Sequence, residues 1–286
     1  MMPVTGYIIE KYNQMGSAYT CNRLVTEAEK LGIDLKIIGI YDTAVTDKGI
    51  ENGGCLLEKR DFVINRYKWG KEKDAINSLA KRSYNSLHAF NLYINKYEQV
   101  KRLHSSEFLM PKYLLGTSFL PYETITSKLG SPFVGKGLES SMGEEIVLIN
   151  NDREYAYLKQ KYKAAKEWLF EEFITTSFGR DIRFYSIRGE VIACMQRKSQ
   201  GDFRANVALG ADVKSYEITA EIQKTAKELY EQTGLDFLGI DLMFGLVKPY
   251  FCEINVMPGI EGIEKASGVN VAHKIMETIQ GDFLNE

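Results

Sequence analysis

The sequence predicts an α/β protein of two or three packed subdomains. Three observations carry this. The 286 residues suffice for several sizeable cores. The first ninety residues alternate strand and helix signals around LKIIGI at 35–40, an apolar run of buried-strand length that suggests a small parallel layer. The C-terminal half carries two hairpin patterns, RDIRFYSI–EVIACMQRK and FLGIDLMF–YFCEINVM. Their strands are rich in β-branched and aromatic residues, and Arg-Gly or GLVKP breaks each pair.

In order, VTGYIIE at 4–10 reads as the first strand. A helix is expected over 18–31, with Leu24, Val25, Ala28 and Leu31 at helical spacing and Gly32 as its stop. LKIIGI and DFVINRY (61–67) are the next strands. No GxGxxG occurs, so a dinucleotide fingerprint is absent. The pattern over 77–104, which includes Lys96, reads as helical. A loop with Pro111 and Pro121 leads to a strand, PFVGKGL, that carries Lys136. ESSMGEE (139–145) is small and polar, and IVLI (146–149) is a strand. Strand, small-residue loop and strand make the shape of a flap that folds over phosphates. A helix is expected over 152–166 and a strand over 168–174.

In the RDIRFYSI hairpin, symmetry about Gly189 sets Asp181 opposite Arg197 and Arg183 opposite Met195. QGDFRANVALGA follows as a Gly-bounded loop with Arg204 and Asn206. A long helix is expected over 219–234, with Ile222, Ala226, Leu229 and Tyr230 on one face. The last hairpin precedes a final helix over 271–279.

That last hairpin carries the chemistry. Symmetry about Val247 sets Asp241 opposite Glu253, with Asn255 two residues along the same face. Two carboxylates facing each other among apolar neighbours repel, and burial is costly unless a cation lies between them. Two carboxylates and an amide oxygen are hard ligands that suit Mg2+ or Mn2+ better than zinc. The alternative is an ordinary hairpin whose acids face water. Lys136, on a strand beside the flap, suits phosphate binding, and Lys96 would supply a second charge. Arg183, Arg197 and Arg204 on the hairpin strands and loop suit bidentate recognition of carboxylate or phosphate, although a lone Lys or Arg is more often a solvated surface residue.

Composition excludes several classes. Hydrophobic residues make up 44% and charged residues 26%, the profile of a soluble globular chain. A net charge of −2 gives no support for general nucleic-acid binding. The four cysteines form no CxxC, and the three histidines are scattered. A zinc site or disulfide framework is therefore not expected, and a reducing cytoplasm is the expected home. No apolar run reaches membrane-spanning length, so neither a membrane partner nor a signal peptide is expected. A homo-oligomer, dimer or tetramer, fits the general habit of such chains.

GIDLMFG…PYFCEINVMPGIEGIEKASGVNVAHKI, with FEEFITTSFGRDIRFYSIRGEVIACMQRKSQGDFRAN, resembles the ATP-grasp enzymes, and among them the RimK-type glutamate ligases. The likeness covers about 91–279. It implies an ATP-grasp fold of three units: a pre-ATP-grasp α/β domain at 1–90, a central subdomain with the phosphate flap at 91–170, and a C-terminal subdomain with the metal site at 171–286. It implies ATP and Mg2+ as cofactors. Asp241, Glu253 and Asn255 fall on the metal positions, and Lys96 and Lys136 on the two nucleotide lysines. Glu172 and Phe173 fall on the adenine hinge, and Asp181 on a further nucleotide contact. Arg204 and Asn206 match the loop that reaches the phosphates and the acyl phosphate, and Arg183 a position near a substrate carboxylate.

The implied reaction is carboxylate–amine ligation through an acyl phosphate. Its partners would be an amino acid, plausibly glutamate, and a peptide, protein or small-acid acceptor. Alternatives on the same fold are an enzyme that forms amide or ester links in a ribosomally made peptide, a phosphoryl-transfer enzyme, and a nucleotide-binding regulator without catalysis. The chain departs from the family's pattern in the acidic flap SSMGEE and in Asn95, where relatives usually carry Asp.

Overall fold

A computed structural model of the chain describes residues 3–12, 19–140, 145–162 and 166–284. Ala18, expected to open the first helix, lies outside them, as do the flap centre at 141–144 and residues 163–165. Among the described residues, no helix is long and apolar enough to cross a membrane.

The first unit is the expected parallel layer. β1 (Thr5–Glu10) leads through α1 (Tyr19–Lys30) to β2 (Asp34–Gly39). A short antiparallel meander, β3 (Thr43–Thr46), β4 (Gly49–Asn52) and β5 (Cys55–Leu56), returns the chain to β6 (Arg60–Asn65). Then come α2 (Lys71–Asn77) and β7 (Ala80–Tyr84). The sheet order is β2-β1-β6-β7, all parallel. The helix expected over 77–104 is replaced by β7, α3 (Leu87–Tyr93) and α4 (Lys96–Arg102). β7 was hidden because AKRSY is an edge strand with Lys81 and Arg82 exposed, so it shows no apolar alternation. Asn95 caps α4, its side chain accepting from the backbone N–H of Tyr97 at 3.0 Å.

The second sheet is antiparallel, in the order β10-β9-β11-β8. It is built from β8 (Tyr113–Thr117), β9 (Phe133–Gly137), β10 (Ile146–Ile149) and β11 (Glu167–Glu172). α5 (Tyr122–Leu129) and α6 (Asp152–Lys161) belong to the same unit. β8 occupies the stretch read as a loop, bounded by the prolines at 111 and 121 that signalled one. Ile125, Leu129, Phe133, Tyr155, Trp168 and Phe170 form its core.

The third sheet holds both hairpins, in the order β14-β13-β12-β15-β16. Its strands are β12 (Arg180–Ile187), β13 (Glu190–Lys198), β14 (Asp212–Ser215), β15 (Phe237–Met243) and β16 (Tyr250–Asn255). α7 (Ala220–Thr233) runs between β14 and β15. α8 (Glu261–Ser267) and α9 (Val271–Leu284) close the chain. The last helix is one turn and more longer than its apolar pattern announced. At Gly239 a Cβ would stand 2.8 Å from Pro258, so a bare backbone is needed where the segment after β16 folds back.

The first and last units share a core in which α1 packs on α9. Within that contact the Glu27 carboxylate is nearly inaccessible. It pairs with Arg23 at 3.0 Å, Lys30 at 2.8 Å and the His273 ring at 3.3 Å. Burial pushes its pKa up, but Lys30, Asn270 and Arg23 outweigh that and hold it at about 2. A carboxyl depressed on folding stabilises above its unfolded pKa and loses that contribution as pH falls through the folded one. Glu27→Gln is therefore expected to lower stability at neutral pH by about 1–3 kcal/mol. The deficit should shrink as pH falls from about 4.5 towards 2. Urea midpoints measured across that range check it.

Candidate active site

The site begins with register. β12 pairs with β13 and β15, and β15 pairs with β16, so Arg183, Asp241 and Glu253 stand in one cross-strand row, with Met195 beyond Arg183. Asp241 lies opposite Glu253 and Gly239 opposite Asn255, as the hairpin symmetry requires. Between Asp241 and Leu242 the register shifts by a bulge, so that symmetry holds only on the acid-bearing side.

Cations do lie against the facing carboxylates, and they come from the chain itself. Arg183 grips Asp241 through both arms of its guanidinium, Nε at 2.6 Å from Oδ1. Arg197 grips Asp181 in the same bidentate way, both bonds 2.6 Å, and reaches Asp241 at 2.9 Å. Lys96 Nζ lies 3.0 Å from Glu253 and donates to the Ser140 carbonyl at 2.8 Å. Burial pushes the Asp241 carboxyl up, but Arg183 and then Arg197 outweigh it and hold it at about 2. Burial also opposes ionisation of Glu253, and Lys96 holds its pKa below the ordinary value. Both acids are therefore carboxylates at neutral pH.

Lys136 reaches from the second sheet into the third. Its Nζ pairs with Glu171 at 2.6 Å and donates to the Cys252 carbonyl at 3.3 Å. Burial would favour the neutral amine, but the Glu171 and Glu253 carboxylates hold its pKa above the ordinary value. Glu171 was not singled out in the sequence. Strand alternation could have found it: in EEF, Glu171 and Glu172 face opposite sides, and only one of them faces Lys136. Burial pushes the Cys252 thiol up to about 12, so it stays protonated and unreactive.

Between the two sheets lies a cleft. Lys136, Glu172, Phe173, Asp181, Arg204, Asn206, Asp241 and Glu253 all line it. Lys96, Arg183 and Asn255 stand one contact behind, on Glu253 or Asp241. At one end, Phe173 meets Phe178 and Phe203 edge to face, each pair 6.2 Å apart. There the Glu172 side chain accepts from the Lys112 backbone N–H at 2.8 Å. Arg204 folds onto Asp202, with Nη2 at 2.7 Å. The cleft thus has an aromatic end, a cationic wall and an acidic floor.

The acidic floor can be tested as a metal site. Asn255 Nδ2 donates to Asp241 Oδ2 at 3.4 Å and to Glu253 Oε1 at 3.5 Å, so two carboxylates and one amide converge, and turning the amide over would present its oxygen to an ion. Among the described residues, no three Asp, Glu, His or Cys side chains form a metal cluster by themselves. A set with two carboxylates and an amide fits Mg2+, which keeps water and phosphate oxygens in its shell. The guanidinium and ammonium groups on Asp241 and Glu253 show that the floor takes positive charge.

The model of the RimK-like ATP-grasp domain matches residues 95–279 of this chain. A probable alpha-L-glutamate ligase of Legionella pneumophila (strain Corby) is 30% identical over 280 residues, spanning 92% of this chain and 91% of that protein. The chain belongs to the RimK-like ATP-grasp family. A probable alpha-L-glutamate ligase of Aeromonas salmonicida is 28% identical over 92% of both chains. Among solved structures, the ATP-grasp ligase PsnB with its minimal precursor superposes with a TM-score of 0.72 at 15% identity, covering 98% of this chain and 99% of PsnB. The D-alanine–D-alanine ligase of Bacillus anthracis gives 0.71 at 16% identity, covering 98% and 96%. These structures bear out the ATP-grasp fold.

Proposed function

We propose that this RimK-like ATP-grasp chain joins a carboxylate to an amine through an acyl phosphate, adding glutamate or another amino acid to a peptide, protein or small acid. Membership of the family supports ATP-dependent carboxylate–amine ligation in general. The observation that supports the finer reading is the single cleft, with Phe173 at one end and Lys136, Arg204, Asp241 and Glu253 at the other. The full-length similarity to proteins named as glutamate ligases supports glutamate over other amines.

In this reading the adenine packs against Phe173 beside Glu172, and Asp181 contacts the nucleotide while holding Arg197. Lys96, Lys136, Arg204 and Asn206 bind the phosphates. Asp241, Glu253 and Asn255 hold Mg2+, which when bound neutralises phosphate charge. The acceptor carboxylate attacks the γ-phosphorus in line, and ADP leaves. The amine then attacks the acyl carbon, loses a proton, and phosphate leaves. Arg183 and Arg204 stabilise the charge that develops on the transferring group. No protein nucleophile is needed. The three units at 1–90, 91–170 and 171–286 then serve acceptor, phosphates and metal in turn, in a cytoplasmic enzyme.

An ADP-release screen of amino acids against candidate acid acceptors tests this, with products identified by mass. ADP should appear only when acid and amine are both present, with a product one water lighter than their sum. ADP release with a phosphorylated acid, or without any adduct, would overturn ligation.

A further inference from the structure

The segment that leaves the last hairpin is held by the first unit. Asn255 is the last residue of β16 with a partner in the ladder, Gly239. Beyond it the backbone crosses the C-terminal edge of the first sheet, where three side chains reach it at every second residue. Asn85, after β7, donates to the Val256 carbonyl at 3.1 Å. Arg66, after β6, donates to the Pro258 carbonyl at 3.1 Å. Thr20, near the start of the helix that follows β1, accepts from the Ile260 N–H at 3.2 Å. β7, β6 and β1 are neighbours in that order, so residues 256–260 run along a row of strand ends. Val256, Pro258 and Ile260 are all buried there.

Asn85 does more than join two units. Its Nδ2 also donates to the Phe237 carbonyl, and its Oδ1 accepts from the Phe237 N–H, both at 2.8 Å. Phe237 opens β15 and lies two residues before Gly239. One buried amide thus bridges the start of β15 and the exit of β16, where the ladder between them has ended. It serves as a further rung. Behind it, Asn65 donates to the Asn85 carbonyl at 3.2 Å and exchanges amide hydrogen bonds with Asn77 at 3.1 and 2.8 Å. A buried polar network with its bonds satisfied is rigid.

The rung matters because Asn255 is held only loosely by its neighbours in the cleft. Its amide meets Asp241 and Glu253 at 3.4 and 3.5 Å, long for hydrogen bonds. Its direction therefore follows its backbone, and the next carbonyl is the one that Asn85 holds. We propose that Asn85 is a positioning residue for the metal site: it fixes the backbone at Val256 so that Asn255 completes the set with Asp241 and Glu253. This rests on the reading of those three residues as Mg2+ ligands, and it gives the first unit a part in metal binding.

Calorimetry of Mg2+ and Ca2+ binding to the ADP complex tests it. Asn85→Ala should weaken Mg2+ binding by about tenfold or more, as loss of a metal ligand's outer partner does. Ca2+ should weaken by less, because it accepts irregular coordination while Mg2+ demands a near-ideal octahedron. ADP affinity without metal should stay unchanged. Glu27→Gln is the stability control, since its partners Arg23, Lys30 and His273 lie outside both hairpins. It should leave both metal affinities at wild-type values. Equal losses for the two ions, or no loss, would overturn the proposal. Should Asn85→Ala fail to fold, the wild type still decides. Its Phe237 N–H should exchange with deuterium more slowly once Mg2+ joins ADP, by a larger factor than the amides of β1, because binding that depends on the rung must stabilise it in turn. Equal slowing would overturn it as well. A wild type that binds no Mg2+ beside ADP removes the metal reading and the proposal together. Normal Mg2+ binding by wild type and Asn85→Ala alike removes the positioning role alone.

Discussion

Glu253→Gln is expected to lower ligation by on the order of a thousandfold while leaving the fold intact. Its companion, Asp241→Asn, should lose as much activity but should also lose stability. The difference follows from what each carboxylate holds. Glu253 faces Lys96 at 3.0 Å and Asn255 at 3.5 Å. A glutamine there keeps shape and one acceptor oxygen, and removes only the charge that a divalent ion needs. Asp241 accepts from Arg183 twice and from Arg197 once. An asparagine cannot satisfy three donors without setting its own NH2 against a guanidinium. Mg2+ affinity, measured by calorimetry in the presence of ADP, should fall for both variants, and the urea midpoint only for Asp241→Asn. Wild-type turnover by Glu253→Gln would sink the metal assignment.

The same row of residues shows how far the sequence can be read. Asp241 faces Glu253 in the folded chain because hairpin pairing is local: once the turn is found, the register follows by counting. Asp181 faces Arg197 for the same reason. The grip of Arg183 on Asp241 was out of reach. It depends on β12 lying beside β15, a contact between two hairpins that are separated by α7, and no spacing within either hairpin encodes it. The sequence therefore showed that the acids need cations and listed the cations, but not which met which. Lys136 was legible as a charge beside a flap, whereas its buried partner Glu171 was not picked out from the Glu-Glu pair. In the first unit the parallel strands announced themselves by continuous apolar runs. The polar edge strand β7 and the short meander β3–β5 did not, because each buries a single side chain, Tyr84 in β7 and Ile50 in the meander, too few to make a pattern.

Arg197→Met is expected to destabilise the protein by about 3–5 kcal/mol, the largest single effect on folding that the site suggests. Arg197 is 3% exposed at its side chain and is shared by two acids. Asp241 would keep Arg183, but Asp181 would lose both bonds to its carboxylate and stay buried. A buried charge without a partner costs more than the pair contributed, so the loss is that of stranding Asp181 rather than of one ion pair. Two controls separate these terms. Arg197→Met combined with Asp181→Leu removes the stranded charge and should recover a large part of the stability. Lowering the pH should do the same for the single variant, because burial already pushes the Asp181 carboxyl up and protonation removes its charge. A group whose folded pKa is raised stabilises below its unfolded value and loses that as pH rises, so the variant's deficit should widen from acid to neutral pH. A deficit that the double variant leaves untouched would mean that Arg197 acts by filling space. The pairing of Asp181 with Arg197 would then be incidental to the fold that holds the acidic floor.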